Sequence, residues 1–464
     1  MTARPYLFGP TFDEMLHPDT MPAAKRQSAL NARKNNDLLN PDLLWDITWR
    51  RPDGKVRCHV VPKALTGVDC DIVVLHGHGF PTGSHKVGAT YSGALERQLK
   101  GDVTPGVHTL VWPSTGNYGI GGAWVGPRMG YESIVILPEE MSAERFQRIE
   151  NYGAHVIKTA GCESNVKEIF DACKEIAKRG EIRVLNQFEE LANYRFHWHV
   201  TGNSACDAVE ELAAEGKVGG KVAAFVSAMG SAGTIAAGDR CKQRYIDCKI
   251  VGLEPVQCPT LYSNGYGGHD IQGIGDKHVT WIHNVTNMDA LACVDDIECK
   301  LVLQVLTDPT GQKYLKDNLG LSNDEVEFFG SQVGISGICN ILGAIKTAKH
   351  FGIGKGQTIV TVCTDGFDRY PSVMAQMQET YGPITEMEAH ARIRSILLNQ
   401  KTDYVQEGTV INRARWHQLK YYTWVEQQGK TVEELEAMRS QDFWLAQQAK
   451  VADVDKAQKT ARGF

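Results

Sequence analysis

The 464-residue sequence has no C-x-x-C pair, no basic block and no apolar run long enough to span a bilayer. Each absence excludes something. The twelve cysteines are scattered from Cys58 to Cys363, which in a chain this long reads as reduced, mostly buried thiols rather than a disulfide framework. A net charge of −6 with no run of Lys and Arg argues against nucleic acid as a partner. The opening Met1-Thr2-Ala3-Arg4-Pro5-Tyr6 lacks the charged-then-apolar order of a signal peptide. The expectation is a cytoplasmic protein with no membrane partner. No metal is expected either, since His197 and His199 fall at a helix start among aromatics, where packing accounts for them.

Glycine is abundant, 46 residues, and much of it falls in short loops between strand-like and helix-like runs. Candidate strands are 71–75, 109–112, 133–137, 155–159, 183–186, 222–227, 249–253 and 358–363. They are short, rich in Val and Ile and mostly apolar, as strands covered on both faces should be. Amphipathic helices are expected over 143–152 and 165–179, stopped by Gly153 and Gly180, with others over 23–36, 42–49 and 235–244. This alternation predicts an α/β fold with mainly parallel sheets. After Arg369 the chain turns helical, without strand signals.

The chemistry is expected in the loops past strand ends. Gly79-Phe80-Pro81-Thr82-Gly83-Ser84-His85-Lys86 precedes a helix, so Lys86 stands at its N-terminal mouth. The helix dipole and burial both disfavour an ammonium there, and a neutral amine is what attacks an aldehyde. A solvated or phosphate-binding lysine would fit the same position. Ser114-Thr115-Gly116-Asn117-Tyr118-Gly119 offers hydroxyls, an amide and backbone N–H groups suited to a carboxylate. Gly230-Ser231-Ala232-Gly233-Thr234 lets backbone amides approach a phosphate. It fits neither the nucleoside-triphosphate loop nor the dinucleotide fingerprint, which counts against a nicotinamide oxidoreductase. Gly267 to Gly275 has the composition of a mobile lid.

In this order the loops resemble those of pyridoxal-phosphate enzymes of fold type II, the cysteine synthase, cystathionine β-synthase and tryptophan synthase β superfamily. The match runs from about Pro81 to Tyr370. Pro81-Thr82-Gly83-Ser84-His85-Lys86 resembles the tryptophan synthase β lysine motif, which implies that Lys86 forms the internal aldimine. Ser114 to Gly119 is similar to the Thr-Ser-Gly-Asn-Thr-Gly loop of cysteine synthases. This implies Asn117 on the cofactor's ring oxygen, with Ser114, Thr115, Gly116 and Tyr118 on the substrate carboxylate. Gly230, Ser231, Ala232, Gly233 and Thr234 match the phosphate cup. Asn186-Gln187-Phe188 through Asn193 resembles the run that points Gln187 toward the substrate. Gly334-Ile335-Ser336-Gly337 resembles Gly-Ile-Ser-Ser-Gly and makes Ser336 the first choice for the pyridine nitrogen, with Thr364 second.

There are departures. Trp112 stands where the tryptophan synthase loop has its acid–base glutamate, and Asp276-Lys277-His278 replaces an apolar Phe-Ile-Pro, which implies a more polar pocket. His85 would either shuttle protons or pack beside the phosphate. The resemblance implies two three-layer α/β/α domains: residues 1–80 and 191–375 form the large cofactor domain, 81–190 the small one, and 376–464 a helical extension. It also implies a homodimer and a small amino-acid substrate such as O-acetylserine, serine or cysteine. A hydroxyl at the pyridine nitrogen makes a weaker electron sink, favouring prompt loss of a β substituent. Lys86 is the natural base at Cα. The expected activity is β-replacement through a bound aminoacrylate, and the alternative is a β-elimination lyase (cysteine desulfhydrase or serine/threonine dehydratase type). A cofactor-binding protein with decayed catalysis also stays open.

Overall fold

Each apolar run read as a strand forms one, and the strands assemble into two sheets. The computed structural model describes residues 5–114, 116–161 and 165–463. The strands are β1 (Cys58–Val60), β2 (Asp71–His76), β3 (Thr109–Pro113), β4 (Glu132–Pro138), β5 (His155–Thr159) and β6 (Ile182–Val184), followed by β7 (Lys221–Ala228), β8 (Lys249–Pro255), β9 (Ala290–Val294), β10 (Gln357–Cys363) and β11 (Val405–Glu407). One sheet runs β1-β2-β10-β7-β8-β9-β11 and the other β5-β4-β3-β6. All pairings are parallel except at the edges of the larger sheet, where β1 and β11 run antiparallel to β2 and β9.

The topology places the site. Strands β2, β10, β7 and β8 are parallel neighbours, so the loops that follow His76, Cys363, Ala228 and Pro255 leave from one edge. Asn340, on the helix Ile335–Phe351, fixes that edge: its Oδ1 accepts from Ala228 N at 2.7 Å and its Nδ2 donates to the Val362 carbonyl at 2.6 Å. Helices expected over 143–152, 165–179 and 235–244 form over Ala143–Asn151, Val166–Ile176 and Ala236–Arg244. Residues 42–49 instead begin in a 3-10 turn, Pro41–Asp46.

Three strands escape the sequence pattern. β1 and β11 have three residues each at half-exposed sheet edges, too short for alternation to show. β9 is Ala-Leu-Ala-Cys-Val, poor in β-branched residues and formed because both faces are covered. β11 lies in the stretch expected to hold no strand, so the C-terminal extension completes the larger sheet. Among the described residues no single helix is long and apolar enough to cross a membrane.

The extension also braces the body. Lys420 is buried and donates from Nζ to the carbonyls of Trp281 (2.9 Å) and His283 (2.6 Å), and Trp424 Nε1 donates to the Val279 carbonyl at 2.8 Å. In the final helix, Gln441–Arg462, Asp455 accepts from the backbone N–H groups of Phe12 and Asp13 at 2.8 and 3.0 Å. Gln458 donates to the Gly9 carbonyl (2.7 Å) and to Tyr91 Oη (3.1 Å).

Replacing Lys420 with Met keeps the side-chain volume and strands two buried carbonyls. Loss of such partners costs ~1–3 kcal/mol, to be read as a lowered urea midpoint. Burial pulls the Lys420 pKa down to about 7, below that of an unfolded lysine, so unfolded chains bind more protons between pH 7 and the ordinary lysine range. Wild-type stability is therefore expected to rise with pH across that window, and Lys420→Met to flatten the rise.

Candidate active site

Lys86 is the first residue of the helix Lys86–Leu99 and is buried at its N-terminus. Burial pulls its pKa down to about 8, against the opposing pull of Asp276. Its Nζ lies 3.4 Å from Ser231 Oγ, in the turn that follows β7. Ser231 Oγ also accepts from Asn193 Nδ2 at 3.1 Å, and Asn193 donates to the Gln187 carbonyl at 3.1 Å. Lysine, glycine-rich turn and the 186–193 segment thus meet at one point.

The turn itself is shaped for an anion. Ala232 adopts φ +60°, a left-handed conformation unusual for a residue with a side chain, which turns successive N–H groups to one side. At Gly233 a Cβ would run into the Asn193 amide, so only glycine lets the backbone approach here. His85 is fully buried, with Nε2 3.0 Å from Thr234 Oγ1 and its ring stacked on Trp49 at 5.3 Å. Burial holds its pKa well below the usual range.

The loop after β3 is ordered by its own side chain. Ser114 Oγ accepts from the N–H groups of Gly116 and Gly119 at 2.9 and 2.7 Å, opening the helix Asn117–Arg128. Gly116 has φ +150°, and a Cβ there would strike the buried Arg145 guanidinium. Asn117 Nδ2 donates to Asp365 Oδ2 at 2.6 Å, while Asn117 Oδ1 has no partner among the described residues. Tyr118 turns away: its hydroxyl donates to the Leu185 carbonyl at 3.3 Å and its ring packs on Trp112. Its side chain is therefore not available to a substrate carboxylate. Thr115 lies outside the described residues. Trp112 is a core residue, bonded from Nε1 to Ser133 Oγ at 3.2 Å, and Gln187 Nε2 reaches the Pro113 carbonyl at 3.4 Å.

At the far side, Ser336 is buried one residue into the helix Ile335–Phe351, and its Oγ has no partner among the described residues. Thr364 is half-buried. Its neighbour Asp365, passed over in the sequence, is the busier group. It accepts from Asn117 and from the Tyr370 hydroxyl (3.0 Å), with Arg369 at 3.4 Å and Arg145 at 3.9 Å. No sequence pattern marked Arg145, because an arginine in an amphipathic helix ordinarily faces water. The segment read as a lid is tied down: Gly275 N donates to the Met229 carbonyl (2.8 Å), His269 Nε2 meets the Gly275 carbonyl (3.0 Å), and Ile271 and Ile274 are buried. Among the described residues no group of three or more His, Cys, Asp or Glu is placed to hold a metal ion, and the eleven described cysteines are free.

The family model described as pyridoxal-phosphate dependent enzyme matches residues 61–365. The chain belongs to that family. Cysteine synthase of Staphylococcus aureus is 29% identical over 303 residues, 65% of this chain and 88% of that one. Cysteine synthase B of Escherichia coli is 27% identical over 293 residues, 63% and 84%. Among solved structures, O-acetyl serine sulfhydrylase isoform 3 of Entamoeba histolytica superposes with a TM-score of 0.58 at 23% identity, over 74% of this chain and 93% of that one. A hydrogen sulfide-producing enzyme of Fusobacterium nucleatum gives 0.56 at 23%, over 73% and 91%. These two likenesses concern the fold.

Pyridoxal phosphate is thus the cofactor, and the residues fit it. A buried amine of lowered pKa lies beside a turn that a Cβ would fill, and Ser336 Oγ and Asn117 Oδ1 are buried polar atoms with no partner among the described residues. Two outcomes are expected. Gly233→Val weakens uptake of the cofactor at least about 10-fold in absorbance titration while the far-ultraviolet circular dichroism stays unchanged. Because only the neutral amine reacts, the rate at which apoprotein takes up pyridoxal phosphate rises with pH and levels off above about 8.

Proposed function

We propose that the protein catalyses β-replacement on a small amino acid, in the manner of a cysteine synthase, with Lys86 as the base at Cα. The observation that carries this reading is the buried Lys86 amine beside Ser231, at the edge from which the loops of β2, β7 and β10 leave. Pyridoxal phosphate supplies a sink for the electron pair released at Cα. Gly230, Ser231, Ala232, Gly233 and Thr234 hold its phosphate, with His85 bracing Thr234. The unpartnered hydroxyl of Ser336 meets the pyridine nitrogen in preference to the half-exposed Thr364. Asn117 keeps one amide hydrogen on Asp365 and has a second for the ring oxygen.

The substrate carboxylate is received by the N–H groups at the start of the helix Asn117–Arg128, in the 114–119 loop, with Gln187 alongside. Ser114 acts there by ordering that loop, and Gly116 by letting its backbone approach. The Cα proton passes to the Lys86 amine, whose pKa burial lowers to about 8, so that the neutral form predominates only above that pH. Division into the larger sheet with its N- and C-terminal helices, a small domain over 81–190 and the extension from 376, together with a cytoplasmic homodimer, belongs to the same reading.

β-Elimination is the second reading, favoured by the polar Asp276 at the substrate side, since a pocket that handles protons also suits water. Incubation with O-acetylserine and sulfide is expected to yield cysteine, and Lys86→Ala to lower that rate at least about 1,000-fold and abolish the cofactor's visible band. Pyruvate formed without any added nucleophile would decide for elimination. A colourless protein that takes up no pyridoxal phosphate would end both readings.

A further inference from the structure

One loop concentrates more unsatisfied polar atoms than any packing role needs. Directly after Gly275, both carboxylate oxygens of Asp276 are buried without a partner among the described residues, as are His278 Nε2, Thr280 Oγ1 and His283 Nε2. Unpartnered buried groups are rare because each gives up the hydrogen bonds it made in water and gains none in return. All four side chains line a single cavity of ≈ 20 Å3, about the room one water or one sulfur-sized atom occupies. The cavity's other wall is Met229, Gly230 and Ala232, the turn that holds the phosphate. The backbone bond from Gly275 N to the Met229 carbonyl fixes Asp276 against that wall.

We propose that Asp276 is a catalytic acid–base for the group attached at Cβ, with His278, Thr280 and His283 forming a polar pocket that receives a small protic leaving group or nucleophile, a thiol, sulfide or hydroxyl. This assignment rests on the β-chemistry proposed above. When the bond from Cβ to the departing atom breaks, its electron pair stays on that atom and the carboxyl proton of Asp276 neutralises it. A thiolate thus leaves as a thiol, and a hydroxide as water. In a replacement that follows departure of a thiol or water, the incoming thiol returns a proton to the Asp276 carboxylate as sulfur bonds to Cβ, whereas after acetate departs Asp276 still holds its proton and the nucleophile enters as its anion. An acetate leaving group needs no such proton.

The electrostatics agree with the geometry. Burial raises the Asp276 carboxyl to about 8, and Lys86 is the one charge that opposes the rise. The other titratable groups on the cavity are Glu254, raised to about 7 by burial and bonded to the N–H groups of Leu261 and Tyr262, and His278 and His283, lowered by burial to about 4 and about 3. None of these brings a positive charge at neutral pH. Whenever Lys86 carries no charge, nothing offsets the desolvation of Asp276, so the carboxyl keeps its proton and can donate it.

The test compares three donors on the holoenzyme, O-acetylserine, serine and cysteine, for wild type and Asp276→Asn. The variant is expected to lose at least about 100-fold with serine and cysteine and less than about 10-fold with O-acetylserine. The infrared difference between the two proteins is expected to show a carboxylic-acid C=O band at pH 7 that fades above about pH 8. Equal losses on all three donors, or no loss, would overturn the assignment, as would absence of the carboxylic-acid band. Should the variant misfold, the wild-type profiles decide. Rates with cysteine and serine, divided by the rate with O-acetylserine, must fall as pH rises through about 8, and a flat ratio overturns the proposal. If wild type takes up the cofactor but turns over none of the donors, the β-chemistry reading falls and this assignment with it, whereas a selective loss leaves both standing.

Discussion

A primary amine removed from water is the constraint that the rest of the site obeys. Lys86 starts a helix with its Nζ beside the Ser231 hydroxyl, and burial is the first cause of its lowered pKa. An ammonium in that place would need close oxygen partners, and the structure provides one hydroxyl at 3.4 Å and a carboxyl that is itself reluctant to ionise. Burial holds both groups near neutrality, and each draws the other only part of the way back toward its charged form. The glycine-rich turn, the Asn193 amide and the His85–Thr234 pair are arranged around that amine rather than around each other.

The sheet geometry explains why so many loops converge there. Adjacent parallel strands must send their following loops out of the same edge, and β2, β10, β7 and β8 are neighbours. Asn340 ties the ends of β7 and β10 together, so the glycine-rich turn after β7 and the Thr364–Asp365 segment are held at fixed spacing. The smaller sheet contributes one loop, opened by Ser114, and joins the rest through the Asn117–Asp365 contact. Arg148 reinforces it by pairing with Asp368 at 2.7 Å.

Much of this was legible in the sequence where a residue's type alone restricts what the backbone can do. The lysine at a helix mouth, the tight turn after β7 and the β2, β7, β8 and β10 runs all read correctly, because buried parallel strands leave continuous apolar stretches and tight turns leave glycine. What escaped was set by tertiary placement. Arg145 and Asp365 became buried partners only because two sheets meet. Tyr118 looked like a substrate ligand until its ring found Trp112. The segment to Gly275 looked mobile because glycine signals freedom in a chain, whereas here Gly275 sits at φ +75° where a Cβ would strike His269 and Pro255, and its N–H is bonded to the Met229 carbonyl. β9 and β11 are strands by pairing, not by composition.

The clasp between the two ends of the chain bears on how the protein is made. Asp455 and Gln458 bond to residues 9–13 across more than four hundred positions, and Lys420 and Trp424 hold the 279–283 loop. Contacts so distant along the chain form late, since loop closure must come first. On the ribosome both sheets, apart from the edge strand β11, can be complete while Tyr91 on the lysine-bearing helix and the 279–283 loop beside the polar pocket still await their partners. The last helix adds its bonds to Gly9, Phe12, Asp13 and Tyr91 only after every strand has been made, so the two ends of the chain are fastened last.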